Sequence, residues 1–393
     1  MLPQAQALLP RMIEIRRTLH QRPELSFRER ETARSVATIL SEMGLQPRMG
    51  VGKTGVVADL GRGAPMVALR ADMDALPIQE ENDVPYASQN AGVMHACGHD
   101  VHMAALLGAA MLLKQTQFQG KVRLIFQPSE ERPDSEGKSG AMRMVDDGVM
   151  DGVSAVFGMH VDDQSYAGTA GVRPGPVMAA ADAFRVVVKG QGGHGAYPHK
   201  GVDSILMAAE VVSALNHIVS RRISPLDSGV VSVGSIHGGT AGNIIPDQVE
   251  LRGTIRSFEP DVRVALAREV ERACGVARAL GGDYELAVND GYPATANDPE
   301  LTRLAQRVGQ ALLGEKFGDQ PVEMGAEDFS VLAAKAPGCY LRLGSRAEGQ
   351  PARGIHTSRF DADEQALAVG AALFAELALA YLRDGTPPSA GAR

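Results

Sequence analysis

The chain has 393 residues, enough for two domains with full cores. Its hydrophobic share of 44% and charged share of 22% are those of an ordinary globular protein. A formal charge of -8, with no lysine- or arginine-rich cluster, argues against a nucleic-acid partner. Cys97, Cys274 and Cys339 are too few, and odd in number, for a disulfide framework, so a cytoplasmic, reducing location is expected. The N-terminus lacks a basic start and a sustained apolar stretch, which makes a poor signal peptide. No segment reads as long and apolar enough to span a bilayer, so no membrane partner is expected. The glycine-, proline- and serine-containing tail over 385–393 is expected to fray.

Apolar runs predict buried strands over 66–70 and 122–126, with an alanine- and leucine-rich helix over 101–114 between them. Asp100 stands at the start of that helix, where a carboxylate is favourable. A short strand over 155–159 follows and ends at His160. Strand, helix and strand in this order predict an α/β fold: a mostly parallel sheet flanked by helices. Chemistry in such sheets collects at the carboxyl ends of strands. Asp72, Glu130, Glu131 and His160 all lie just past apolar runs.

The rhythm changes after about residue 183. Strands are expected over 184–188, 230–236 and 249–255, with helices over 203–220 and 261–280. This pattern predicts an α+β unit with helices on one face of an antiparallel sheet. Helices over 300–313 and 363–382 then return the chain to its first domain. The expected division is one domain from 1–182 and 291–393, with a smaller α+β domain over 183–290 inserted into it. No internal repeat is present.

The densest chemistry lies in Met94-His95-Ala96-Cys97-Gly98-His99-Asp100-Val101-His102. A thiol, three imidazoles and a carboxylate share nine residues. Such donors suit zinc, manganese, cobalt or nickel better than magnesium or calcium. Cys97 and His99 are two apart, so on loop backbone both can face one ion. Glu130 and Glu131 close an apolar strand and point opposite ways if extended, one toward metal and one toward substrate. His160 and His356 are isolated histidines further along. A set this spread out reads as a catalytic metal centre, because structural zinc sites draw on closely paired ligands. Asp72 and Asp74 are expected to support it, since metal-bound imidazoles need an acceptor behind them. Gly192, Gly193, Gly238 and Gly239 serve turns, and with no lysine-serine or lysine-threonine pair after them they form no phosphate loop.

Taken together, these motifs resemble the M20 metallopeptidase family, in its amidohydrolase branch of hippurate, N-acyl-amino-acid and auxin-conjugate hydrolases. The resemblance begins at residues 20–27 and runs through Ala71-Asp72-Met73-Asp74-Ala75. It continues through the cysteine-histidine stretch, Glu130-Glu131, and Gly192-Gly193-His194-Gly195-Ala196. It ends at Gly242-Asn243-Ile244-Ile245-Pro246, Gly325-Ala326-Glu327-Asp328-Phe329 and His356. It implies two divalent metal ions (manganese, zinc, cobalt or nickel) held by Cys97, His99, Glu131, His160 and His356, with His95 and His102 behind them. It makes Glu130 the general base, His194 the stabiliser of the oxyanion, and Asn243 and Arg256 the groups that hold a substrate carboxylate. It makes 1–182 with 291–393 a catalytic domain and 183–290 a satellite domain. It also implies a homodimer or homotetramer, with His194 acting in a neighbouring copy. The expected reaction is hydrolysis of the amide bond of an N-acyl or N-aroyl amino acid. A dipeptidase or aminopeptidase of the wider family, and a non-catalytic metal-binding protein of the same fold, are the rivals.

Overall fold

A computed structural model describes residues 1–384, and the 385–393 tail lies outside the described residues. The chain divides into two compact units. The larger comprises Met1–Val177, Ala296–Pro321 and the chain from Asp328 onward, and the smaller comprises Met178–Thr295 and Val322–Glu327.

The larger unit is built on an eight-stranded sheet, in the order 48–51, 55–62, 120–127, 66–72, 155–166, 338–346, 170–171, 317–318. Its four central strands are mutually parallel. They read Met66–Asp72, Gly120–Gln127, Ala155–Tyr166 and Gly338–Arg346, almost wholly buried, as befits strands covered on both faces. Helices Leu2–His20, His99–Lys114 and Gln365–Asp384 pack on one another, and the last two pack on the Met66–Asp72 strand.

In the larger unit two expectations change. The strand expected to stop at His160 continues to Tyr166. The added residues after Val161 are mostly polar, but the neighbouring strand holds the extension in register, with Leu343 opposite Val161 and Gly344 opposite Asp162. The second change concerns Gln365–Asp384, which is by length and composition apolar enough to cross a bilayer. It is instead a core helix, with Leu373, Phe374 and Leu377 at 0–1% exposure. Each such side chain contributes roughly 1.5–3 kcal/mol by burial, so packing accounts for the composition.

The smaller unit carries a four-stranded antiparallel sheet in the order Gly229–His237, Gln248–Ser257, Ala180–Lys189, Asp283–Tyr292. Helices Ser204–Arg222 and Pro260–Cys274 pack on each other and on this sheet. Asp203 caps the first through its carboxylate, which accepts from the Ile205 and Leu206 amides. The helix expected over 261–280 breaks at Gly275 into Pro260–Cys274 and Val276–Ala279.

Candidate metal centre

The donor cluster of the larger unit gathers where the Met66–Asp72 strand ends and the His99–Lys114 helix begins. Gly98 makes the turn between Cys97 and His99. Its φ is +83°, and a Cβ there would meet Val161 Cγ2 at 2.5 Å, so only glycine fits.

His99 and His160 are each aimed by their other nitrogen. His99 Nδ1 lies 2.8 Å from the Asp74 carbonyl oxygen, and its buried Nε2 has no hydrogen-bond partner among the described residues. His160 Nδ1 lies 2.7 Å from the Val161 carbonyl oxygen, and its Nε2 is 3.2 Å from Cys97 Sγ. Because carbonyl oxygens only accept, both rings carry a proton on Nδ1, which leaves Nε2 as the atom each would turn to an ion. His356 Nε2 lies 3.2 Å from the same sulfur and 3.1 Å from Glu131 Oε1. The His356 backbone has a φ of +61°, uncommon for a residue with a Cβ, and its amide donates to the Ala96 carbonyl at 2.7 Å.

Donor atoms of Cys97, His99 and His160 lie within 4.8 Å of one another, and so do those of Cys97, Glu131 and His356. Cys97 Sγ is common to both groups. Glu130 joins a third group with His99 and Glu131 at the same spacing. His102 stands behind the cluster: its Nδ1 pairs with Asp72 Oδ1 at 2.6 Å and its Nε2 accepts the Val161 amide at 2.9 Å. With both nitrogens engaged, it has none to offer an ion. Asp74 supports the other side, accepting the Glu130 and Glu131 amides at 3.0 and 3.1 Å.

The electrostatics call for a cation. Burial, then the Glu131 and Glu130 carboxylates, push the Cys97 thiol well above its ordinary value. Burial alone would lower His99, but Asp72 and then Asp74 outweigh it and raise it to about 10. Converging acidic groups around an unpartnered imidazole nitrogen are what divalent ions would relieve, and a thiolate–imidazole–carboxylate set suits zinc-like metals. The residues present therefore fit a metal pair.

Two buried networks escaped the sequence reading. Arg70 donates to Asp72 at 2.7 Å, to Gln127 at 2.9 Å and to Asp328 at 3.0 Å. Asp100 accepts from Arg16 Nε at 2.7 Å, and His20 Nδ1 lies 2.8 Å from the same oxygen. Asp100 thus sits in the first turn of the helix and orients an imidazole, that of His20. His95 is buried beside it, its ring 6.2 Å from that of His20, and burial pushes it down to about 4.

The remaining expected site residues belong to the smaller unit. His194 pairs with Ile244 in a two-residue ribbon, and the Gly195 amide donates to the Asn243 carbonyl at 2.8 Å, so His194 and Asn243 are exposed neighbours. Gln248 begins its strand just after that ribbon. Arg256 is eight residues further along the same strand, about 26 Å at ~3.3 Å per residue. Arg256 is half-buried, donates to the Ile255 carbonyl at 3.2 Å and forms no ion pair among the described residues. Within one copy, Arg256 stands apart from His194 and Asn243.

This fold, with its converging thiolate, imidazoles and carboxylates, defines a metal-dependent hydrolase. Residues 68–380 match the peptidase family M20/M25/M40. Over 381 residues the chain is 42% identical to thermostable carboxypeptidase 2 of Saccharolobus solfataricus, covering 94% of this chain and 95% of that one. It is 40% identical to the N-acetylcysteine deacetylase of Bacillus subtilis, covering 95% and 97%. A crystal structure of the Bacillus subtilis YXEP protein, a dinuclear metal binding peptidase from the M20 family, superposes with a TM-score of 0.83 at 38% identity, covering 96% and 99%. The chain belongs to the peptidase family M20/M25/M40 and is a metal-dependent amidohydrolase within it.

Proposed function

We propose that the protein hydrolyses the amide bond of N-acyl or N-aroyl amino acids. The observation that carries this reading is Cys97 Sγ shared between two donor groups, with Glu130 beside them. Cys97, His99, Glu131, His160 and His356 hold two divalent ions, with manganese, zinc, cobalt and nickel all matching the donor set. When bound, the ions supply Lewis acidity, which polarises the amide carbonyl and makes water easier to deprotonate. Glu130 takes the proton of the attacking water and returns it to the leaving amine. Asp72, through His102, and Asp74, through the His99 ring and the Glu130 amide, keep these groups in place.

The substrate carboxylate is held by Arg256 and Asn243, and His194 donates to the oxyanion of the tetrahedral intermediate. The separation of Arg256 from His194 and Asn243 within one copy supports a site completed by a second copy, which supplies His194 and Asn243. The smaller unit is then a satellite dimerisation domain of a homodimer or homotetramer. Three buried free cysteines support a cytoplasmic location.

The test is a panel of N-acetyl amino acids, hippurate and free dipeptides, assayed before and after chelation. Activity on the acylated substrates should vanish on chelation and return with manganese, cobalt, nickel or zinc. Glu130→Gln should lower kcat at least ~10²-fold with metal content unchanged. Full turnover in verified metal-free protein refutes the reading, and a preference for free dipeptides replaces it with a dipeptidase.

A further inference from the structure

The N-terminal stretch around residues 20–29 holds no metal and touches no substrate in the reading above, yet it is tied to the turn that bears Glu130 and Glu131. Glu29 is fully buried at 0% exposure. Its Oε1 accepts the Ser129 amide at 2.8 Å and the Phe27 amide at 3.0 Å, and its Oε2 accepts the Thr54 hydroxyl at 2.6 Å. Asp74 accepts the next two amides, Glu130 and Glu131, and also the Ser26 hydroxyl at 2.7 Å. The Ala75 amide donates to the Glu24 carbonyl at 2.8 Å, so the same stretch also anchors the chain beside Asp74.

Three consecutive amides, 129 to 131, are therefore received by two buried carboxylates from outside the turn. Ser129 needs such a hold. Its φ is +48°, in the left-handed region that residues with a Cβ adopt only when something imposes it. Were Ser129 to relax toward negative φ, the carbonyl–amide plane leading into Glu130 would turn, and both glutamates would leave the donor cluster.

We propose that Glu29 is a positioning residue for the hydrolysis: with Asp74 it fixes the Ser129–Glu131 backbone so that Glu130 stands at the attacking water and Glu131 at the metal pair. The proposal rests on Glu130 being the base. Glu29 acts as a hydrogen-bond acceptor, and its charge is not what the turn requires. A glutamine at this position retains every contact: its carbonyl accepts the Ser129 and Phe27 amides, and its amide donates to the Thr54 oxygen, which accepts as well as donates. A leucine keeps the volume and loses all three.

The experiment compares Glu29→Leu and Glu29→Gln in the metal-loaded enzyme, with kcat, KM, metal content and thermal midpoint measured together. A misplaced catalytic group costs on the order of 10²-fold, so Glu29→Leu should lose about that factor in kcat while KM moves less than ~3-fold. Glu29→Gln should stay within ~5-fold of the parent kcat. A folded, metal-loaded Glu29→Leu enzyme with parental kcat overturns the proposal, and so does a folded Glu29→Gln enzyme as slow as the leucine variant. If Glu29→Leu does not fold, Thr54→Val carries the test: it frees Oε2 alone, a kcat loss of ~3- to 10-fold is expected, and an unchanged kcat overturns the idea. Glu130→Gln is the control, because normal activity there removes the base assignment itself, whereas an inactive Glu130→Gln beside a fully active Glu29→Leu defeats only the positioning role.

Discussion

Replacing Arg16 by methionine should reveal what the buried charge network is worth. Arg16 and Asp100 are both fully buried, and the guanidinium donates to Asp100 at 2.7 Å, Asp361 at 2.8 Å and Glu364 at 3.4 Å. Methionine fills much of the volume and removes every donor. Glu364 keeps Arg17, at 2.8 and 2.7 Å, and Asp361 keeps the Tyr86 hydroxyl at 3.0 Å, so neither is stranded. Asp100 is the group at risk. Breaking a buried pair from one side costs roughly 3–5 kcal/mol, and His20 remains as a partner, which places the loss at the lower end, about 3 kcal/mol. Adding Asp100→Asn removes the stranded charge, so the double variant should regain about 1 kcal/mol over Arg16→Met. Urea denaturation of the metal-free proteins, followed by circular dichroism, measures both. A loss below ~1 kcal/mol for Arg16→Met, or a double variant weaker than the single, would refute the reasoning.

His20 makes stability depend on pH. Burial alone would lower its pKa, but Asp100, by charge and then by hydrogen bond, and Glu80 raise it from 6.5 to about 9. A raised pKa stabilises fully below the unfolded value and loses that contribution as pH climbs through the folded one. The thermal midpoint should therefore fall between about pH 6.5 and 9, by up to about 3 kcal/mol of stability, and His20→Gln should flatten the profile; an equally steep profile in the variant sinks the assignment. Cys97→Ala removes the atom common to both donor groups, so apparent metal affinity should drop at least ~10²-fold by elemental analysis or competition titration, and parental affinity would show the sulfur is not a ligand. Inactive Glu130→Gln and His194→Ala subunits, mixed through dissociation and reassociation, should recover about a quarter of parental activity if His194 serves the neighbouring copy. No recovery despite confirmed subunit exchange would return His194 to its own chain.

The sequence displayed the donor set because its residue types are rare in combination. Cys97 and His99 are two apart with a glycine between them, and Glu130 and Glu131 follow closely on an apolar strand. The supports were harder to read for a physical reason. Arg70 meets Asp328 across 258 positions and Arg16 meets Asp100 across 84, and a lone charge in a sequence looks solvated until its partner is known. Glu29 resembled any surface glutamate before a helix. Fold errors have similar causes. The Gly338–Arg346 strand, third neighbour in the parallel core, contains glycines and arginines that weaken its apolar signal. Asp283–Tyr292 alternates along an edge, with Tyr284, Leu286 and Val288 on one face and Asp283, Glu285, Ala287 and Asn289 on the other, and the helical pattern before it obscures its start. Polar residues dominate soon after His160, which predicts a strand end there, although backbone pairing carries the strand on to Tyr166.

The order of the elements along the chain has a consequence for biosynthesis. The smaller unit is drawn almost entirely from one continuous stretch, Met178–Thr295, whereas the larger draws on three, including the last described helix. The parallel core lacks one of its four central strands until Gly338–Arg346 has been made, and Leu2–His20 lacks one of its packing partners until Gln365–Asp384 follows. On a ribosome, Leu2–His20 can meet His99–Lys114 early but completes its packing only after Gln365–Asp384 has emerged. The inserted unit has its strands and both packed helices in hand before then and is free to fold first. Gln365–Asp384 then closes the packing of the larger unit, and a chain that stalls or is cut before it leaves an apolar face open to chaperones and proteases.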